Sequence, residues 1–275
     1  MTDDAIEGFN LLCRHLVALT GTYVHASLDK RLEYATKGVP PDAKRIHYTF
    51  SAVPVVFNAE WYILTAGHAV KPYLDGIRSQ QIFSTGGALF DSVASIDTEA
   101  NWFPFEIADY CEYVIDDESL GLDYAMLKLS SNHSELIKNR NILPLYLTMN
   151  DHEEIQSSAM CIVAGMPDEH GTLLSTEPGV RNNIFMRPST VPVIREDDDS
   201  RPFPRLVGRI KSMENLRSIV GMSGGPVFGF ANDSYTIVAI QSRWNKNTKT
   251  IYATKTTSIC RHFAKWKRDS TMKNT

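Results

Sequence analysis

The chain has 275 residues and a formal net charge of −4, with 43% apolar and 22% charged residues, the make-up of an ordinary globular protein. The lack of a basic excess argues against a nucleic-acid partner, and no apolar run approaches the roughly 20 residues of a membrane span. Four scattered cysteines (Cys13, Cys111, Cys161 and Cys260) form no CxxC pair, so buried free thiols are expected rather than a metal site.

The opening "MTDDAIEGF" carries acids where a secretory leader would carry a basic residue and an apolar run, so a cytoplasmic location is expected. Residues 4–19 place apolar side chains close to helical spacing, and Asp3 or Asp4 would cap such a helix. Residues 1–45 therefore read as a helical segment that either covers the rest or docks a regulatory partner. From Ile46 the pattern turns β-like. "IHYTFSAVPVVF", the turn "NAE" and "WYILTAGHAV" come first. "QIFSTGGALFDSVASI", "CEYVI", "YAMLKL", "SAMCIVAGM", "NIFMRP", "RLVGRI", "GPVFGF" and "YTIVAIQSRW" follow at short intervals. Many short strands separated by turns predict an all-β sandwich or barrel. Residues 97–118 hold eight acids and no lysine or arginine, which reads as a solvated face or a patch for a basic partner. "IREDDDSRPFP" reads as an exposed loop, and "TTSICRHFAKWKRDS" as a closing helix with a basic end.

The densest local signal is "GMSGGPVFG", residues 221–229. A serine hydroxyl is a weak nucleophile without a base, and the oxyanion it creates needs donors placed in advance. Glycines around Ser223 permit a tight turn in which the amides of Gly221 and Ser223 serve one oxygen. The candidate base is His68 in "ILTAGHAV", and the candidate orienting acid is Asp123 in "LGLDYAMLKL". Each sits beside an apolar strand, and their chain order is His–Asp–Ser. That order argues against an α/β-hydrolase esterase, which runs Ser–acid–His.

"LTAGH", "DYAMLKL" and "GMSGGP" resemble the three boxes of trypsin/chymotrypsin-like serine peptidases, over roughly residues 46–260. The resemblance implies an all-β fold with terminal helices, in which two antiparallel six-stranded β-barrels pack around a cleft. It implies a first barrel over 46–140 with His68 and Asp123 and a connection over 141–157. A second barrel over 158–258 would carry Ser223, and a helix and tail would occupy 259–275. It implies His68 as base, Asp123 as its orienter, Ser223 as nucleophile, Gly221 and Ser223 as oxyanion donors, a protein or peptide substrate, and no cofactor or metal. By the same resemblance, Arg217 stands where the primary pocket has its floor, and Gln241, Ser242 and Arg243 where a substrate strand pairs. The two arginines suggest an acidic side chain before the scissile bond. Met222 occupies a position that in secreted members is an aspartate receiving a new N-terminus. The chain is therefore expected to resemble intracellular and bacterial members that need no N-terminal trimming. The alternative reading is a silent pseudopeptidase that binds peptides.

Overall fold

The computed structural model describes residues 3–91, 102–148, 159–168, 171–173, 184–186, 188–196, 198–213, 216–231 and 234–273. Two β units pack together. The first is a sheet of eight strands: β1 (Val17–His25), β2 (Arg45–Phe57), β3 (Glu60–Thr65), β4 (Ile82–Asp91), β5 (Trp102–Pro104), β6 (Cys111–Asp117), β7 (Leu122–Lys128) and β8 (Leu145–Tyr146). Seven run in the order β5-β4-β1-β2-β3-β7-β6, antiparallel throughout, and β8 adds to β2 in parallel. The second unit is a closed six-stranded barrel. Its strands are β9 (Met160–Gly165), β12 (Ser189–Arg195), β13 (Leu206–Ile210), β14 (Pro226–Ala231), β15 (Ser234–Asn245) and β16 (Thr250–Lys255). β10 (Gly171–Leu173) and β11 (Ile184–Met186) form a separate two-stranded ribbon.

Parts of β2, β7 and β14 read as apolar runs because both of their faces are buried there. In β2, Phe50 and Ala52 point into the core of the first unit, while Val53, Val55 and Phe57 join the core shared with the barrel. β7 divides in the same way, with Ala125 and Leu127 inward and Tyr124 and Met126 toward the barrel. Asn58 and Ala59, both at positive φ, close the β2–β3 hairpin at the expected "NAE" turn.

Several expectations change. The N-terminal 45 residues are not a helical arm. α1 (Asp3–Cys13) ends before β1, which is hydrogen-bonded between β2 and β4. The alternating β-branched and small residues of "VALTGTYVH" favour a strand over continuation of the helix. α2 (Leu28–Lys37) then leads to β2. With β1 inserted and β8 added, the first unit is an eight-stranded sheet, and closure into a six-stranded barrel is seen in the second unit alone among the described residues. β12 and β16, not anticipated, supply two of the barrel's six strands. Helices also follow strands in the first unit, as α3 (Gly67–Arg78), α4 (Ile107–Tyr110) and α5 (Ser131–Asn139). The expected strand "QIFSTGGALFDSVASI" is β4 through Asp91, and its remainder lies outside the described residues.

The closing helix, α6 (Thr256–Lys273), packs Ile259, Cys260 and Phe263 into the shared core. Lys267 on α6 and Lys128 on β7 both donate to Glu60, and their hydrogen bonds hold its carboxyl down to about 2. None of the four cysteines is in a disulfide, and burial pushes Cys13 up to about 12.

Candidate active site

β3 delivers the chain to the site and α3 begins there. A Cβ at Gly67 would lie 1.9 Å from the carbonyl oxygen of Ile115 on β6, so only glycine fits between "A" and "H". His68, in the first turn of α3, donates its backbone N–H to Asp123 Oδ1 at 2.8 Å. Its ring Nδ1 lies 2.7 Å from Asp123 Oδ2. Nδ1–H faces the carboxylate, which leaves Nε2 as the acceptor nitrogen. The Asp123 side chain is only 7% exposed, while that of His68 is 29% exposed. Asp123 is also tied to the barrel, because its N–H donates to Thr254 Oγ1 at 3.1 Å and that hydroxyl donates to the Asp123 carbonyl at 3.3 Å.

Ser223 sits in the turn that enters β14. Gly221 and Gly224 adopt φ of 90° and 86°, a region that favours glycine. The turn is pinned by Met222 N to Ile219 O (3.1 Å), Gly224 N to Gln241 O (2.8 Å) and Gly225 N to Met222 O (2.9 Å). The Val220 carbonyl accepts from Asp168 N at 2.8 Å, so the N–H of Gly221 in the same trans peptide faces the other way. Among the described residues, the amides of Gly221 and Ser223 donate to no protein acceptor.

The turn lies against the end of β3. A Cβ at Gly224 would fall 2.1 Å from Thr65 Oγ1 and 3.0 Å from Ala66 N, two residues before His68. The Ser223 hydroxyl donates to the Ser242 carbonyl at 3.2 Å, and among the described residues it makes no bond to His68. A turn about the Cα–Cβ bond is therefore part of any use of His68 as its base. Met222 is fully buried in the barrel core, so the residue beside the serine is a packing residue.

The expected substrate residues divide. Arg217 is exposed at a bend. Gln241 is buried, and its N–H and carbonyl bond to Gly225 and Gly224 of the turn. Ser242 forms a bulge in the β15–β16 pairing and donates its hydroxyl to Tyr252 O at 2.9 Å. Arg243 reaches the first unit, with Asp116 at 2.9 Å and Glu118 at 3.5 Å. Part of the acidic run thus finds its basic partner within the chain. The presumed exposed loop at 194–204 does the same. Arg201 Nε donates to the Glu118 carbonyl at 2.6 Å, Phe203 N bonds to Leu120 O at 2.9 Å, and Asp199 pairs with buried Arg205 at 2.7 Å.

One residue near the turn was not anticipated. Ser51, fully buried on β2, donates both N–H (3.2 Å) and hydroxyl (3.0 Å) to the Gly221 carbonyl, and its hydroxyl accepts from Met166 N at 2.7 Å. Thr65 Oγ1 donates to the Ser51 carbonyl at 2.7 Å. The available signal was a pair of hydroxyls within otherwise apolar strands, since buried hydroxyls take partners. Among the described residues, no three His, Cys, Asp or Glu side chains gather to hold a metal ion.

No protein-family model and no curated protein matches the chain. Among solved structures, the chain is similar to the active form of the Rv3671c protease of M. tuberculosis, at 13% identity over 96% of this chain and 86% of that one, with a TM-score of 0.47. It is also similar to the tobacco etch virus protease complexed with product, at 12% identity over 90% and 75% of the two chains and a TM-score of 0.46. A thermostable serine protease, AL20, from an extremophilic microorganism is similar at 12% identity, 86% and 90% coverage and a TM-score of 0.46.

Proposed function

We propose that the chain is a serine endopeptidase that works through His68, Asp123 and Ser223. The observation that carries the reading is the doubly bonded His68–Asp123 pair beside a serine turn with two amides that, among the described residues, have no protein acceptor. In this reading Ser223 Oγ attacks the substrate carbonyl carbon while His68 Nε2 takes its proton. The carbonyl π electrons move to oxygen, and the amides of Gly221 and Ser223 stabilise that charge; each such donor contributes about 10²–10³ in rate. His68 returns the proton to the leaving nitrogen as the C–N bond breaks. Water then repeats the sequence on the acyl-enzyme and frees Ser223. Asp123 stays ionised and stabilises the imidazolium.

With Met222 packed in the barrel core, the proposed enzyme needs no new N-terminus to form the turn. Arg243 is committed to Asp116 and Glu118, which takes it away from any preference for an acid before the scissile bond. The test is covalent labelling with a fluorophosphonate. The chain beginning at Met1 is expected to label at Ser223 without trimming, and Ser223→Ala to remain unlabelled. An unlabelled wild-type chain that still binds peptides would select the pseudopeptidase reading.

A further inference from the structure

Among the described residues, a carboxylate is held against the candidate oxyanion turn. Asp168 lies three residues beyond β9, and its backbone N–H fixes the Val220 carbonyl. Its Oδ1 occupies the space that a side chain at Gly221 would need, 2.2 Å from where the Cβ would stand. Asp168 is exposed, and among the described residues its carboxylate has no cationic partner. The surrounding protein nevertheless raises its carboxyl above the ordinary carboxylate range through desolvation. Among the described residues, a carboxylate without a cationic partner is thus held against Gly221 of the serine turn.

The barrel order decides which side of a substrate it faces. β14, entered through Ser223, lies between β15 and β9. A peptide whose acyl portion runs along β15 must leave the turn on the β9 side, where Asp168 stands. We propose that Asp168 is a specificity-determining residue on the leaving-group side, taking a lysine or arginine of the substrate at the first or second position after the scissile bond. The inference rests on the serine-peptidase reading. Its physical logic has two parts. An ion pair favours the basic residue. The same carboxylate disfavours an acidic residue at that position by like-charge repulsion.

The experiment is cleavage-site profiling of a synthetic peptide library by mass spectrometry, using the full chain, Asp168→Asn and Asp168→Lys. Each preparation is labelled in parallel with a fluorophosphonate. Wild type is expected to enrich Lys and Arg over Asp and Glu by about fivefold after the cut, the range of a partly exposed ion pair. Asp168→Asn is expected to abolish this enrichment while cutting before acidic residues faster than wild type, and Asp168→Lys to reverse it. A structural role would slow all substrates alike. Labelled wild type without the enrichment, or an enrichment that survives in Asp168→Asn, overturns the subsite and leaves the peptidase reading standing. Wild type that neither labels nor cleaves overturns both.

Discussion

The two units prepare the proposed chemistry differently. In the first, both bonds between His68 and Asp123 are already made, at 2.8 and 2.7 Å, and Gly67 permits the close contact with β6. In the second, the backbone of the turn is fixed, Ser223 Oγ rests on Ser242 O, and among the described residues the amides of Gly221 and Ser223 have no acceptor. The difference shows where organisation has been completed. In the proposed reaction, the acid–base pair would be assembled by folding, whereas the final orientation of Ser223 would be left to the encounter with substrate.

The sharpest way to break this comparison is to remove one group from each unit. Ser223→Ala is expected to lower peptide hydrolysis by about 10⁶-fold, and Asp123→Asn, which spoils the His68 tautomer, by about 10⁴-fold. The Asp123→Asn chain should still hold substrate, with KM changed far less than kcat. If Asp123→Asn loses no more than tenfold, the paired geometry of the first unit is not used in the reaction.

A backbone clash should weaken the first unit next. Gly67→Ala drives a methyl group into the Ile115 carbonyl and is expected to cost about 3 kcal/mol, the upper end of ordinary overpacking. The urea midpoint should fall with an unchanged m-value, and activity should fall with it because His68 is the next residue. Unaltered stability would mean that β6 yields easily at Ile115.

Ser51 probes the seam between the units. Ser51→Ala removes a hydroxyl bond to the Gly221 carbonyl and leaves Met166 N without that acceptor, a loss of about 1–3 kcal/mol. A looser turn should lower kcat by about tenfold with little change in KM. A matching loss in fluorophosphonate labelling rate would place the effect in the turn rather than in substrate binding.

What the sequence made legible follows from the range of the interactions. His68, Asp123 and Ser223 carry local signatures, because glycines and strand ends announce the turns that hold them. Strands such as β2, β7 and β14 are legible because burial on both faces leaves unbroken apolar runs. β1 was hidden because Leu16, Val17 and Leu19 continue the helical spacing of α1, and its place is set by pairing with β2 and β4. Met222 stood out beside the serine, but its packing role depends on the closed barrel. Ser51 and Asp168 were hidden for a related reason: each acts on the 220–221 turn from a distant part of the chain. Arg243 carries a visible charge, but its use depends on Asp116 and Glu118 across the seam.

The smallest expected effect concerns how acid loosens that seam. His15 is buried; its Nδ1 donates to the Leu143 carbonyl and its Nε2 accepts from the Tyr235 hydroxyl, both at 2.8 Å, tying the N-terminal chain to the connecting segment and to β15. Burial lowers its pKa below 6.5, partly offset by the Leu143 carbonyl, and His262 is lowered by burial and by the charge of Lys265. A lowered histidine pKa means that the unfolded chain binds the proton more readily. The stabilisation from the neutral rings is therefore complete above 6.5 and is lost as pH falls through 6.5 toward the folded-state values. Glu60 has the same sign in a lower window. Its carboxyl is held near 2 by Lys128 and Lys267, so its contribution is present above 4.5 and is lost as pH falls toward 2. Thermal melts across pH should therefore decline in two steps, one beginning near 6.5 and one below 4.5. Replacing His15 and His262 with glutamine should flatten the upper step alone, and Glu60→Gln the lower step alone. A single step that responds to neither would locate the acid sensitivity away from these three residues.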